Sequence, residues 1–129
     1  MAYYAVWGKD AFFGGLHGME EAEVIEAAND EEALEYAREL SWNVIYDYSG
    51  IYEELEARVA ESCEADDVVY GPGSEAEEEI RSEIYEADLD YGAAILDAER
   101  LPTLDVQTLT RMFYEDENSF LEKYVEAYI

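Results

Sequence analysis

The sequence predicts an α+β fold in which a short N-terminal antiparallel β-hairpin packs with four to five helices. Residues 2–8 are rich in aromatic and β-branched types, whereas several longer segments after residue 29 carry apolar residues at helical spacing. The length of 129 residues suits one domain. Half of the residues are hydrophobic, which is enough for a packed core, so we expect residues 1–129 to form a single domain.

The N-terminal hairpin is predicted from two short segments on either side of a glycine-rich connection. Residues 2–8, AYYAVWG, are typical of a strand, and residues 22–28, AEVIEAA, alternate as a second strand would. The connection, residues 9–21, lacks the GK[ST] ending of a phosphate-binding loop. His17, the only histidine, has no neighbouring cysteine or metal-ligand partner in the sequence, so we interpret the connection as a turn.

Two helices are predicted to follow the hairpin. Asn29 or Asp30 is a candidate N-cap, and Ser49 with Gly50 separates the two helices. The apolar face of the first helix comprises Ala33, Leu34, Ala37, Leu40, Ser41, Val44, Ile45 and Tyr48. The apolar face of the second comprises Ile51, Tyr52, Leu55, Val59 and Cys63. Carboxylates at four-residue spacing face away from the first stripe, namely Glu31, Glu35 and Glu39.

Residues 74–91, SEAEEEIRSEIYEADLDY, predict the most acidic helix. Ser74 and Glu77 match a capping box. The predicted buried face comprises Ala76, Ile80, Ile84, Ala87 and Tyr91. A second row about 100° around the helix contains only carboxylates, with neighbours about 6 Å apart. This row comprises Glu75, Glu79, Glu83, Glu86 and Asp90.

The remaining segments are shorter. Residues 68–70 are a candidate third strand, and residues 92–96 form an apolar patch that suits either a continued helix or a short strand. Asp105 is predicted to cap a helix that contains Val106, Leu109, Met112 and Phe113. Ser119 and Glu122 match a second capping box, followed by an apolar stripe over residues 120–129. That stripe suits packing on this domain or on a second copy, which leaves a homodimer open.

The net charge indicates which classes of partner the protein binds. There are 34 Asp and Glu residues against 7 Lys and Arg, which gives a net charge of -27 spread along the chain. Direct binding to nucleic acid or to an anionic membrane needs basic residues, so we expect neither. No apolar run approaches the ~20 residues that span a bilayer, and no signal peptide is recognisable. The favoured partner is a basic protein surface.

No catalytic or metal-binding motif is recognisable, so we expect neither an enzyme nor a cofactor or metal. With 34 carboxylates, some lie close together by number alone, and such proximity is not a sign of acid–base chemistry. The single cysteine, Cys63, excludes an internal disulfide and fits a reducing cytoplasm. The 12 tyrosines suit an interface, because tyrosine supplies contact area at low entropic cost.

In size, charge, carboxylate rows such as Glu75–Glu79–Glu83 and lack of catalytic motifs, the chain resembles small acidic DNA-mimic proteins of phages and mobile elements. These include inhibitors of restriction enzymes and anti-CRISPR proteins. The resemblance is compositional and matches no motif. It implies an inhibitor in the cytoplasm of a bacterial host that blocks a basic nucleic-acid-binding protein, such as a Cas effector. An adaptor or assembly protein, and an acidic domain from a salt-loving cell, remain as alternatives.

Overall fold

The structure, a computed structural model, describes residues 1–10, 20–47, 49–69 and 75–129. These residues form β1 (Ala2–Asp10), β2 (Glu20–Ala27), α1 (Asp30–Asp47), α2 (Ser49–Ala65), α3 (Glu75–Asp88), β3 (Leu89–Leu96), α4 (Val106–Glu115), α5 (Glu117–Tyr124) and β4 (Val125–Tyr128). The α+β class and the N-terminal antiparallel hairpin are therefore confirmed. The predictions for His17, Tyr48, Tyr70 and Ser74 lie outside the described residues.

One antiparallel sheet organises the molecule, with the strand order β2-β1-β3-β4. Successive side chains of a strand point to opposite faces of the sheet. On β1, Tyr4 and Val6 belong to a core cluster with α1, whereas Ala5 belongs to a second cluster with α4 and α5. The sheet thus lies between two helical layers. A third cluster joins the end of α1 to α2 and α3, and it includes Cys63, whose thiol pKa is raised by burial.

Helix α1 lies close against the sheet, and its predicted apolar stripe is confirmed. Gly8 allows the close approach, because a Cβ atom there would overlap the backbone nitrogen of Ser41. The buried Ser41 hydroxyl donates to the carbonyl of Lys9 at 2.5 Å and accepts from the N–H of Asp90 at 3.0 Å. The helix is capped by Asn29, whose side chain accepts from the Glu32 N–H at 2.8 Å.

Helix α3 buries a different face from the predicted one. Ala76 and Ala87 are exposed, and Ile80 and Ile84 are half-buried. The buried positions are Glu77, Tyr85 and Asp88. Arg81 lies on the same face and bonds to Glu77 at 2.8 Å, which offsets part of the cost of burying that charge.

The predicted end of this helix at Tyr91 is also wrong. The helix ends at Asp88, and Leu89–Leu96 forms β3, so residues 92–96 belong to a strand. Strand β3 pairs with the edge of β1 that β2 leaves open, and this satisfies backbone groups that would otherwise lack partners. Asp90 and Tyr91 therefore lie in the sheet.

Val68 and Val69 do not form the predicted third strand. Helix α2 ends in a Schellman motif, in which the Val68 N–H donates to the Cys63 carbonyl at 2.7 Å and the Asp67 N–H to the Glu64 carbonyl at 3.3 Å. Asp67 adopts the left-handed conformation that this motif requires, with φ of 55°. The motif turns the chain away from extended geometry, so Val68 packs on the helical cluster instead.

Near the C-terminus the structure confirms one predicted cap and corrects another. Asp105 occupies the N-cap position of α4 as predicted, but its carboxylate accepts from the Thr108 hydroxyl, at 2.6 Å, and makes no capping bond to a backbone N–H. The cap of α5 is Asp116 rather than Ser119, because the Ser119 N–H donates to the Asp116 carboxylate at 3.1 Å.

The apolar stripe over residues 120–129 is helical only as far as Tyr124 and then becomes β4. Phe120 is buried in the core and Leu121 and Tyr124 pack against the same cluster, so the helical part of the stripe packs on this domain. Tyr128 and Ile129, by contrast, are exposed. Arg100 stabilises the junction between α5 and β4 by donating to the carbonyls of Lys123 at 3.2 Å and Val125 at 3.0 Å. Helical periodicity over residues 120–129 does not predict β4, because this strand forms by pairing with β3, which lies far away in sequence.

Candidate partner-binding surface

Most of the positive charge is neutralised within the molecule. Five of the seven Lys and Arg side chains form ion pairs with carboxylates among the described residues. These are Lys9, Arg38, Arg58, Arg81 and Arg100. The excess negative charge is consequently left on the outward faces of the helices, where it attracts cations over long range.

The predicted carboxylate row of α1 is exposed. Glu31, Glu35 and Glu39 lie opposite the stripe that α1 buries against the sheet. Among the residues that the structure describes, no cation pairs with any of the three. The row presents free negative charge at intervals of about 6 Å along a straight helix.

The α3 row is exposed too, although the helix is rotated relative to the prediction. Glu75, Glu79, Glu83 and Glu86 are all exposed. A rotation of about 100° per residue places this row roughly opposite the face that carries Arg81. The row thus points directly outward, farther from the buried side than the sequence predicted.

The two rows approach each other at one ion pair, and the fifth α3 candidate lies elsewhere. Arg38 of α1 bonds to Glu86 of α3 at 3.1 Å, so the rows belong to adjoining helices. Asp90 lies on β3 and faces Lys9 of β1, with 3.7 Å between the charged groups. Asp90 is therefore not part of the helical row.

A buried polar cluster fixes how α3 packs on α2. Arg81 bonds to Glu56 at 3.0 and 3.1 Å, and to Glu77 and Glu78 at 2.8 Å each. The Tyr85 hydroxyl donates to Glu56 at 2.7 Å. Burial, together with this hydrogen bond to an anion, raises the pKa of Tyr85, so its hydroxyl stays a donor. The cluster holds α3 in the rotation that points its carboxylate row outward.

Four aromatic rings, here called the aromatic patch, lie at the junction of α1, α2 and α3. They are Trp42, Tyr46, Tyr52 and Tyr85. Tyr46 is 59% exposed and Tyr52 is 40% exposed, so the patch reaches the surface. Trp42 and Tyr46 belong to α1 but not to its predicted apolar stripe. Tyr52 and Tyr85 come from other helices and were not identified.

A cleft of about 570 Å³ lies between the edge strand β2, α1 and α4. Its lining includes Glu23, Glu26 and Glu32. Beside them, burial and a hydrogen bond to Glu23 raise the pKa of Tyr36 to about 12. Thr110 of α4 bonds to both the N–H and the carbonyl of Val24, at 2.9 and 3.3 Å. Those two groups are therefore not available to an added strand.

Fold and surface together define the class of the molecule as an acidic α+β domain with negatively charged outward helix faces. Over the described ranges, no three His, Cys, Asp or Glu side chains converge in a way that would hold a metal ion. Each helix in those ranges is too short or too polar to cross a lipid bilayer. Comparison of the chain with protein-family models, with curated proteins and with solved structures gives no match.

Proposed function

We propose that the protein binds a basic nucleic-acid-binding protein and blocks it by placing carboxylates where nucleic-acid phosphates would bind. The observation that carries this proposal is the pair of exposed rows, Glu31–Glu35–Glu39 on α1 and Glu75–Glu79–Glu83 on α3, which have no paired cations among the described residues. The expected target class is a DNA-binding defence protein of a bacterial host, such as a Cas effector, and the expected place of action is the bacterial cytoplasm.

The charge is large enough to compete with DNA. Duplex DNA carries one charge per ~1.7 Å, so the net charge of -27 equals the phosphates of roughly 13 base pairs. A field of this size accelerates encounter with a basic groove. The carboxylates also lie on a fixed frame, because the Arg81 cluster holds α3 on α2 before any partner arrives.

The test compares two charge-matched double variants in a pull-down from bacterial lysate at about 0.1 M salt. Glu79→Lys/Glu83→Lys reverses the α3 row, and Glu115→Lys/Glu122→Lys makes the same charge change at exposed positions of α4 and α5. We expect the native protein to retain a basic protein that excess duplex DNA displaces. The α3 variant should lose this partner by about tenfold or more, whereas the control should retain most of it.

Each alternative outcome has a defined meaning. A partner that DNA does not displace would favour an adaptor. Equal losses in the two variants would mean that net charge acts without a defined face. Retention by the Glu79→Lys/Glu83→Lys variant would show that this row is not the binding surface.

An assembly protein is a second candidate, favoured by the exposed end of the sheet. Strand β4 has no neighbour on its outer side among the described strands, and Tyr128 and Ile129 are 62% and 42% exposed there. Two copies could pair through this edge into one continuous sheet. Sedimentation at about 0.1 M salt distinguishes the two candidates. An assembly protein that pairs through β4 should sediment as a dimer. The inhibitor should sediment as a monomer, because the net charge makes copies of the chain repel one another.

A further inference from the structure

We propose that the aromatic patch binds arginine side chains of the basic partner and gives the protein a preference for arginine over lysine. This deepens the proposed function, and it rests on that function only in assuming that the partner is positively charged. The occupant is a guanidinium group on a protein surface, and the complementary net charge of -27 is the first reason to expect it there.

Tyr46 is the centre of the patch. Its ring stacks on Trp42 with 5.4 Å between centroids and an interplanar angle of 18°. It lies 6.3 Å from both Tyr52 and Tyr85. Tyr85 is only 2% exposed and supports the other rings from below, whereas Tyr46 and Tyr52 present ring surface to solvent. A cluster of rigid aromatic side chains that is only partly covered is typical of the anchor of an interface.

The patch continues the carboxylate row of α1. Trp42 lies three residues after Glu39, and Tyr46 lies four residues after Trp42. Together with Glu35 these residues lie within about 60° of one another around the helix. A cation drawn along the row therefore arrives at aromatic rings at the end of a line of carboxylates.

The molecule contains an internal example of the proposed contact. The guanidinium carbon of Arg38 lies 5.9 Å from the centre of the Trp42 ring, and the same guanidinium bonds to Glu86 at 3.1 Å. One ring and one carboxylate thus hold an arginine at the margin of the patch. Tyr46 stacks on Trp42 and is the more exposed of the two, so an incoming arginine meets its ring on the side of α1 that also carries the carboxylate row.

The preference for arginine follows from hydration and shape. A guanidinium is planar and weakly hydrated, so it stacks on an aromatic face while its edge bonds to a carboxylate. An ammonium is compact and strongly hydrated, and it gains less from the same surface. Lysine also makes cation–π contacts but gains less from them, so two contacts predict a preference of about 2-fold or more for arginine.

The test measures the affinities of octa-arginine and octa-lysine by calorimetry at about 0.1 M salt. We expect the native protein to bind octa-arginine about 2-fold more tightly or better, and Tyr46→Leu/Tyr52→Leu to remove most of this preference. The matched control is Tyr114→Leu/Tyr128→Leu, since both of these tyrosines are 62% exposed and lie outside the patch. The control should keep the ratio. The single variant Tyr46→Leu should give an intermediate value and serves if the double variant does not fold.

Equal affinity of the native protein for the two peptides would overturn the inference. So would a preference that survives in the patch variants, or one that is lost equally in the control. The peptides contain no nucleic-acid site, so this result is independent of displacement by DNA. If the native protein shows no arginine preference but still binds a partner that DNA displaces, only the role of the aromatic patch is overturned. If the native protein shows the preference but binds no partner that DNA displaces, only the proposed function is overturned.

Discussion

The guanidinium of Arg81 lies 2.8 Å from the carboxylate of Glu77, whose side chain is only 2% exposed. A second carboxylate, from Glu56 on α2, contacts the same guanidinium at 3.0 Å. The buried interface between α2 and α3 is therefore built around one cation shared by anions of both helices. Because this contact fixes the rotation of α3, it also determines that Glu79 and Glu83 point into solvent.

Replacing Arg81 with Met should strongly destabilise the fold. The substitution keeps an unbranched apolar stem but leaves the buried charge of Glu77 without its cation. Removing one partner of a buried ion pair typically costs about 3–5 kcal/mol. Urea unfolding followed by circular dichroism measures the loss. Adding Glu77→Gln to the Arg81→Met variant should recover part of it, because the second change removes a buried charge that has lost its contact with Arg81.

Arg58→Met is the matched control for this experiment. It makes the same change of net charge on α2, but the Arg58 side chain is 34% exposed and lies 3.9 Å from Glu54. Exposed pairs at this spacing contribute about 0–1 kcal/mol. Comparable losses in the two variants would mean that overall charge, rather than the buried pair, stabilises the α2–α3 interface.

The burial of Glu77 marks the limit of what helical periodicity predicts. On α1 the predicted stripe was confirmed, because apolar side chains occupy one face and the sheet covers that face. On α3 the alanines of the predicted face are small, whereas Tyr85 offers more apolar area to bury. The choice between the faces depends on Glu56, which belongs to another helix, and no local pattern contains that information.

Gly8→Ala and Gly50→Ala should change stability in opposite directions. A Cβ atom at Gly8 would overlap the backbone of α1 at Leu40 and Ser41, so the helix must move away from the sheet. We expect a loss of about 1–3 kcal/mol from this overpacking. Gly50 lies in α2, and among the described residues beyond its own stretch of helix no atom comes within 4 Å of an added Cβ. There, alanine should raise the free energy of unfolding by about 0.5–1 kcal/mol, since it favours the helix.

The same urea experiment measures both glycine variants, and each serves as the control of the other. A stable Gly8→Ala variant would show that α1 and β1 do not require their close approach. A destabilised Gly50→Ala variant would contradict the open surroundings of Gly50 in α2.

Glu21→Gln should stabilise the protein at neutral pH. Burial, followed by the charges of Asp47 and Glu23, raises the pKa of the Glu21 carboxyl. A raised pKa in the folded state means that the contribution of this group to stability is complete below its unfolded value and is lost as pH rises through the folded value. At neutral pH the ionised carboxylate therefore opposes folding. We expect glutamine to raise Tm by about 1–4 °C at pH ~7.

The pH dependence provides the check on Glu21. The gain in Tm should shrink as pH falls, because the raised pKa lets the native Glu21 carboxyl bind its proton before the carboxyl of the unfolded chain does. Glu35→Gln is the control for net charge, since Glu35 is exposed on α1. An equal gain from the control, or a gain from Glu21→Gln that does not change with pH, would attribute the effect to overall charge.

The candidate surface could be predicted where it depends on one helix and not where it depends on several. Carboxylates at four-residue spacing form a line on any straight helix, so the α1 row and four members of the α3 row are exposed as expected. Asp90 does not belong to that row, because β3 takes the place of the end of the predicted helix. The aromatic patch needs Tyr46, Tyr52 and Tyr85 from three helices, and helical periodicity does not join them.

Salt should stabilise the fold and weaken its contacts with basic partners. Repulsion within a net charge of -27 opposes the compact state, and the Debye length falls from ~30 Å at 0.01 M to ~10 Å at 0.1 M salt. We expect cooperative unfolding already at about 0.1 M NaCl, and a Tm that rises with added salt and levels off as screening becomes complete. Thermal unfolding followed by circular dichroism across this range measures the effect.

Salt should change Tm and partner affinity in opposite directions, because Tm reflects repulsion within the chain and affinity reflects attraction to the partner. The affinity for octa-lysine should fall over the same salt range in which Tm rises, because screening weakens attraction and repulsion alike. Glu79→Gln/Glu83→Gln should reduce both dependences, since it removes two unpaired carboxylates of the α3 row. A chain that remains unfolded until salt reaches about 1 M would instead be an acidic domain of a salt-loving cell, because only such a protein needs that much screening to fold.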